Sequence, residues 1–187
     1  YVCTTAKGNS IAGAMDVISR KTGLIISLSH CNVLFMSTSA FELDHMQLIY
    51  PLTGMYALPE QTIIVTGDKS PSEMLSLRIG TTISSPFFLQ QALVNEEGSD
   101  GMIRTTAKDF LARSLSPSKA NVVPYIVAKT TSPPLSETGG EEDVFEFDIS
   151  RAMVFDERAS RILDNEYAEI LAIYHSHDVT GTLNYTA

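Results

Sequence analysis

Short apolar runs alternate along this chain with stretches of helical periodicity, and that alternation limits the fold more than any other feature. A brief apolar run bounded by turn residues suits a buried strand, whereas apolar positions at i, i+4 and i+7 suit one face of a helix. A helix is predicted from Ser10 to Thr22: Asn9 or Ser10 can cap it, Ile11, Met15 and Ile18 form its stripe, and Gly23 stops it. Leu24 to Ser29 then reads as a buried strand, with Asn32 to Ser37 as its partner. Met46 to Tyr50 and Gln61 to Thr66 read as two more strands, separated by a Pro- and Gly-bearing loop from Pro51 to Pro59.

Gly67 to Pro71 is the clearest turn of the first half and the candidate seam between two portions of the chain. A short strand follows near Leu75 to Thr82. Ser85 and Pro86 then open a helix carrying Phe88, Leu89, Ala92 and Leu93, which ends at Asn95 to Gly98. Thr106 to Ser114 is weakly amphipathic. Val122 to Val127 is strand-like, and Pro124 within it asks for a sheet edge or a bulge. Thr130 to Asp143 is poor in apolar residues and rich in Pro, Gly, Ser and Glu, as a mobile solvated loop would be. Val144 to Asp148 alternates like a strand. Ser150 is read as the cap of a helix bearing Phe155, Ala159, Ile162 and Leu163, and Val179 to Tyr185 as a last strand. The pattern is that of a single α/β or α+β domain with a central mixed sheet flanked by helices.

At 187 residues the chain can bury a sizeable core, and 44% apolar with 19% charged residues is ordinary globular composition. Its net charge of −9 leaves no excess of Lys and Arg to neutralise phosphates, which argues against a nucleic-acid partner. No apolar run reaches the roughly 18 residues of a membrane span, and no signal peptide is visible. Cys3 and Cys31 could form one bridge, but free thiols and a reducing, cytoplasmic setting are favoured. Phosphate-binding glycine motifs and a serine-hydrolase elbow are lacking. His30 and His45 have no companion ligand nearby in sequence and read as surface residues.

The sharpest chemical signal lies at Glu169 to His177, where an apolar run read as a strand ends in His175-Ser176-His177. Side chains two apart on a strand share a side, so both imidazoles could reach one metal ion, and zinc suits them. The run from Phe145 to His177, FEFDISRAMVFDERASRILDNEYAEILAIYHSH, resembles the core of the JAMM (MPN or Mov34) zinc metalloprotease family, and Ser84 to Met102 resembles that family's first helix and following acidic residue. The resemblance covers about half the chain. It implies zinc held by His175 and His177, with Glu97 or Glu96 as the general base acting on a zinc-bound water. Ser176 is a further catalytic candidate, and the implied substrate is a protein or peptide, ubiquitin-like proteins included.

The chain departs from that family after His177. Asp178 replaces the usual Pro, Tyr185 stands at the position of the oxyanion serine, and no aspartate follows to complete the ligand set. Ser10 to Asp44 resembles the segment that follows His-Ser-His in the family, which suggests a circularly rearranged domain with Asp16 as the third ligand. Two functions from different classes therefore stand: a zinc-dependent peptide or isopeptide hydrolase, and a non-catalytic structural or assembly subunit. Either is compatible with an oligomer.

Overall fold

A computed structural model describes residues 4–42, 45–79, 83–84, 89–93, 103–131, 144–156 and 159–175. Among these, seven strands form one mixed sheet. They are β1 (Val33–Phe35), β2 (Ile63–Gly67), β3 (Arg78–Ile79), β4 (Ile83–Ser84), β5 (Asn121–Thr131), β6 (Val144–Phe155) and β7 (Ser160–Leu163). Their order is β1-β2-β5-β6-β3-β4, and β7 pairs with the far half of β6. β1, β2 and β5 run parallel, while β5 and β6 form a long antiparallel hairpin. The expected mixed sheet flanked by helices is what the chain forms.

Helix α1 (Ile11–Thr22) begins where the sequence places it. The Ser10 side chain accepts the Gly13 N–H, and Gly23 takes the left-handed conformation at φ 70°, donating its N–H to the Ser19 carbonyl. Helices α2 (Thr38–Glu42) and α3 (His45–Met55) follow β1. Helix α4 (Pro71–Ser76) is opened by a capping box between Ser70 and Glu73, and α5 (Ala107–Ser114) by another between Thr106 and Asp109. Residues 89–93 are helical, and α6 (Asn165–His175) is the last described element.

The alternation of β5 sorts the helices onto two faces. Val123 and Tyr125 join Ile64, Met153 and Phe155 under α1, α2, α3 and α5, with Phe41, Ile49, Leu52 and Phe110 filling the layer. Rings of Phe41, Phe110 and Phe155 lie 4.6 to 6.1 Å apart and tie α2, α5 and β6 together. On the opposite face Ile63, Val65, Ile126 and Phe147 meet Met74 of α4 with Leu89 and Leu93. Val122 and Ala152 there meet Ala168 and Ala172 of α6.

One irregularity sits inside this pattern. The β5–β6 register shifts between Tyr125, paired with Arg151, and Val127, paired with Asp148, so β6 carries one extra residue. That insertion flips the side-chain parity of β6: Phe147 faces the same way as Ala152. Pro124 lies beside this shift. It does not sit at a sheet edge, since β5 is paired on both sides.

Four predicted elements are corrected. Leu24 to Ser29 is an irregular, largely exposed connection, because β1 takes β2 as its partner and leaves that segment no sheet to join. Met46 to Tyr50 belongs to α3, where burial of Ile49 and Leu52 overrides both strand-like composition and the break expected at Pro51. Ser150 caps no helix: β6 runs through it to Phe155 and turns back into β7. The run read as a histidine-bearing strand is helical as far as His175. The predicted loop lies outside the described residues from 132 to 143, and so does the predicted strand from Val179 to Tyr185.

Candidate functional site

Face one of the sheet changes character along β5. Val123 is fully buried under the helices, Tyr125 is nearly so, Val127 is half-buried and Lys129 reaches solvent. At that margin, level with the carboxyl end of β2, the described residues bring together Asp68, Tyr125, Lys129, Asp148, Ser150 and Arg151. Carboxyl ends of parallel strands are where open α/β sheets hold their ligands, so this is the natural place to look for chemistry.

Asp148 is the centre of the cluster. Its Oδ2 lies 2.7 Å from Lys129 Nζ, and its Oδ1 accepts both the Ser150 N–H at 3.1 Å and the Ser150 hydroxyl at 2.5 Å. The Lys129 and Ser150 hydrogen bonds hold its carboxyl well below the ordinary range, at about 2, against a smaller opposing effect of burial. Asp68 staples the neighbouring strands: its N–H donates to the Ile126 carbonyl at 3.1 Å, and its Oδ1 accepts the Ala128 N–H at 3.2 Å. Burial pushes the Tyr125 phenol up, helped by the Asp68 charge and opposed by Arg151. Thr66 pairs with Tyr125 across the parallel ladder and is wholly buried.

These groups lock strands together. A carboxylate held well below the ordinary range, with both oxygens already accepting hydrogen bonds, is a poor proton acceptor at neutrality. A tyrosine pushed upward stays a neutral donor. The cluster was not singled out from sequence. Its only signal there is the break in alternation within FEFDISRAMVF, where Asp148 and Ser150 fall on either side of the extra residue.

The residues picked for metal chemistry are placed differently. Asp16 sits on the exposed side of α1, whose Ile11 and Met15 pack on face one. His175 ends α6, which packs on face two through Ala168 and Ala172. The sheet thus stands between the two elements. The chain is helical rather than extended up to His175, and the geometry of the two imidazoles lies outside the described residues. Ser176, His177, Glu96 and Glu97 lie outside the described residues. Among the described residues no group of three or more His, Cys, Asp or Glu is arranged to hold a metal ion. Cys31 has a free thiol, pushed up by burial, with its Sγ donating to the Val33 carbonyl at 3.3 Å; Cys3 lies outside the described residues. No helix among the described residues is long and apolar enough to cross a membrane.

Comparison with known proteins replaces the family suggested by His-Ser-His. A family model described as the spore germination protein N-terminal domain matches residues 1–128. No curated protein and no solved structure matches the chain. The matched stretch runs from the N-terminal segment through most of β5 and takes in Ser10 to Asp44 and Ser84 to Met102, which the JAMM likeness had claimed, so the assignments to that family and to a zinc hydrolase are withdrawn. Where the likeness required a strand, a helix and a second strand between Phe145 and His177, the chain has a strand, a hairpin return and a helix.

Proposed function

Since the chain belongs to the family of spore germination protein N-terminal domains, we propose that it serves as a non-catalytic structural or assembly component in spore germination. The family match over residues 1–128 of 187 carries this reading. Two features of the fold support it. The charges of the polar cluster at the sheet margin are engaged with one another, and its centre, Asp148, has both oxygens accepting hydrogen bonds. The β7 edge of the sheet and the outward side of α6 leave Ile162, Tyr167 and Ile170 in solvent, as surfaces that meet other proteins often do.

The test is genetic and biochemical. An in-frame deletion in the spore-forming host is expected to slow the loss of refractility of a spore suspension, and the intact gene to restore it. Deletion spores that germinate at the parental rate would overturn the reading. Cross-linking in intact spores separates assembly from catalysis: a component is expected to be recovered in stable contact with other spore proteins.

A further inference from the structure

We propose that two copies of this chain join edge to edge through β1, so that their sheets become one. β1 stands at the end of the strand order and has β2 as its one partner among the described residues. All five residues of β2 are buried, whereas Val33, Leu34 and Phe35 of β1 are each only half-buried. Ile63 N–H donates to the Asn32 carbonyl and Met36 N–H to the Val65 carbonyl, both at 2.9 Å. In a parallel ladder alternate residues turn both backbone groups to the same neighbour. Asn32, Leu34 and Met36 therefore serve β2, while Val33 and Phe35 aim their N–H and C=O groups outward. Of these outward groups the Val33 carbonyl takes the Cys31 thiol at 3.3 Å, a weak donor that a backbone N–H can displace.

Sheet edges are ordinarily shielded from such pairing by charged residues, proline or bulges. This edge has none of them. From Thr22 to Phe41 the chain has no Lys, Arg, Asp, Glu or Pro, a run of 20 residues in a chain that is 19% charged. By contrast β7, also paired on one side only, includes Arg161 and is followed at once by Asp164, both exposed. The charge-free run selects a second copy as the occupant. Two chains of net charge −9 repel where their carboxylates meet, and this run brings none to the contact. The edge is also self-complementary. Set antiparallel about a twofold axis at Leu34, Val33 faces the partner's Phe35 and Phe35 faces the partner's Val33, so every outward N–H meets an outward carbonyl. Leu34 then lies against the partner's Leu34 in a non-hydrogen-bonded pair, where side chains approach most closely. Such pairing is a property of the fold alone and does not depend on the role in germination proposed above.

Sedimentation velocity of the 187-residue chain over a range of concentrations tests this, with the melting temperature recorded for each variant. A reversible monomer–dimer equilibrium is expected, tightened by added salt because screening relieves the repulsion between two acidic chains. V33P removes an outward N–H at the first residue of the strand, a position that accepts proline, and is expected to weaken the dimer by at least about tenfold. In a C3S/C31S background, L34C is expected to give a disulfide-linked dimer on oxidation, since partners in a non-hydrogen-bonded pair lie about 4.5 Å apart between Cα atoms. V33C is expected to give none, because its two copies are staggered along the strands. If V33P does not fold, the comparison of L34C with V33C decides. Monomers at every concentration up to about 1 mM, a dimer that salt disperses, a dimer that folded V33P leaves intact, or equal linkage of L34C and V33C would overturn the proposal.

Discussion

Lys129 and Asp148 meet at 2.7 Å across the β5–β6 hairpin, next to the place where β6 carries its extra residue. Asp148 pairs in register with Val127, so its bond to Lys129 is a diagonal one within the regular part of the ladder that borders the irregularity. Ser150, inside the irregularity, donates twice to the same carboxylate and ties it to that regular part.

This gives a pH dependence with a definite sign. The folded-state value of Asp148 is depressed from 3.8 to about 2, so its contribution is complete above the unfolded value and lost as pH falls through the folded one. Chemical denaturation at pH 6 and pH 2 should show the D148N variant losing less stability on acidification than the parent. The expected difference is about 1 kcal/mol, reduced from the full linkage value because Lys129 is 57% exposed and solvent screens the pair.

Gly67 permits the close approach of β2 to β5. A Cβ there would lie 2.5 Å from the Ile126 carbonyl oxygen and 3.0 Å from both Met74 Cε and Phe35 Cζ. Gly67→Ala is expected to cost about 1–3 kcal/mol in urea denaturation, since the nearest atom is backbone and cannot rotate away.

Thr66 Oγ1 is buried and has no hydrogen-bond partner among the described residues. Thr66→Val keeps the shape and removes an unsatisfied hydroxyl. The variant should be neutral or more stable by about 1 kcal/mol, read as a raised denaturation midpoint. Destabilisation beyond that range would mean the hydroxyl has a partner in solution.

Asn121 and Ser114 behave in the opposite way. Asn121 Nδ2 donates to Ser114 Oγ at 2.9 Å, and Ser114 Oγ donates to the Phe110 carbonyl at 2.8 Å, all buried between α5 and β5. Each single alanine variant is expected to cost about 1–3 kcal/mol, and the double variant less than the sum, because the two share one network.

Local sequence rules reached the elements whose signals are local. Ser10 and Gly23 bound α1, the amphipathic stretch from Thr106 to Ser114 is α5, and the apolar runs at Gln61 to Thr66 and Val122 to Val127 are strands, because caps, helical stripes and short β-rich runs act within a few residues. The candidate site was not legible. Lys129 and Asp148 are 19 positions apart and meet only through the hairpin register, and the parity flip in β6 depends on an insertion that exists relative to a partner strand.

The amino-acid sequence by itself determined an α/β chain of alternating capped helices and short apolar strands, since periodicity and capping are properties of neighbouring residues. Tertiary structure decided the rest. It made the apolar stretches at Met46 to Tyr50 and Glu169 to Ile173 helical and left Leu24 to Ser29 without a strand to pair with. It also set α1 and α6, with Asp16 and His175, on opposite faces of one sheet. An apolar run suits a buried strand or a buried helix equally well, and only the partner it packs against settles which forms.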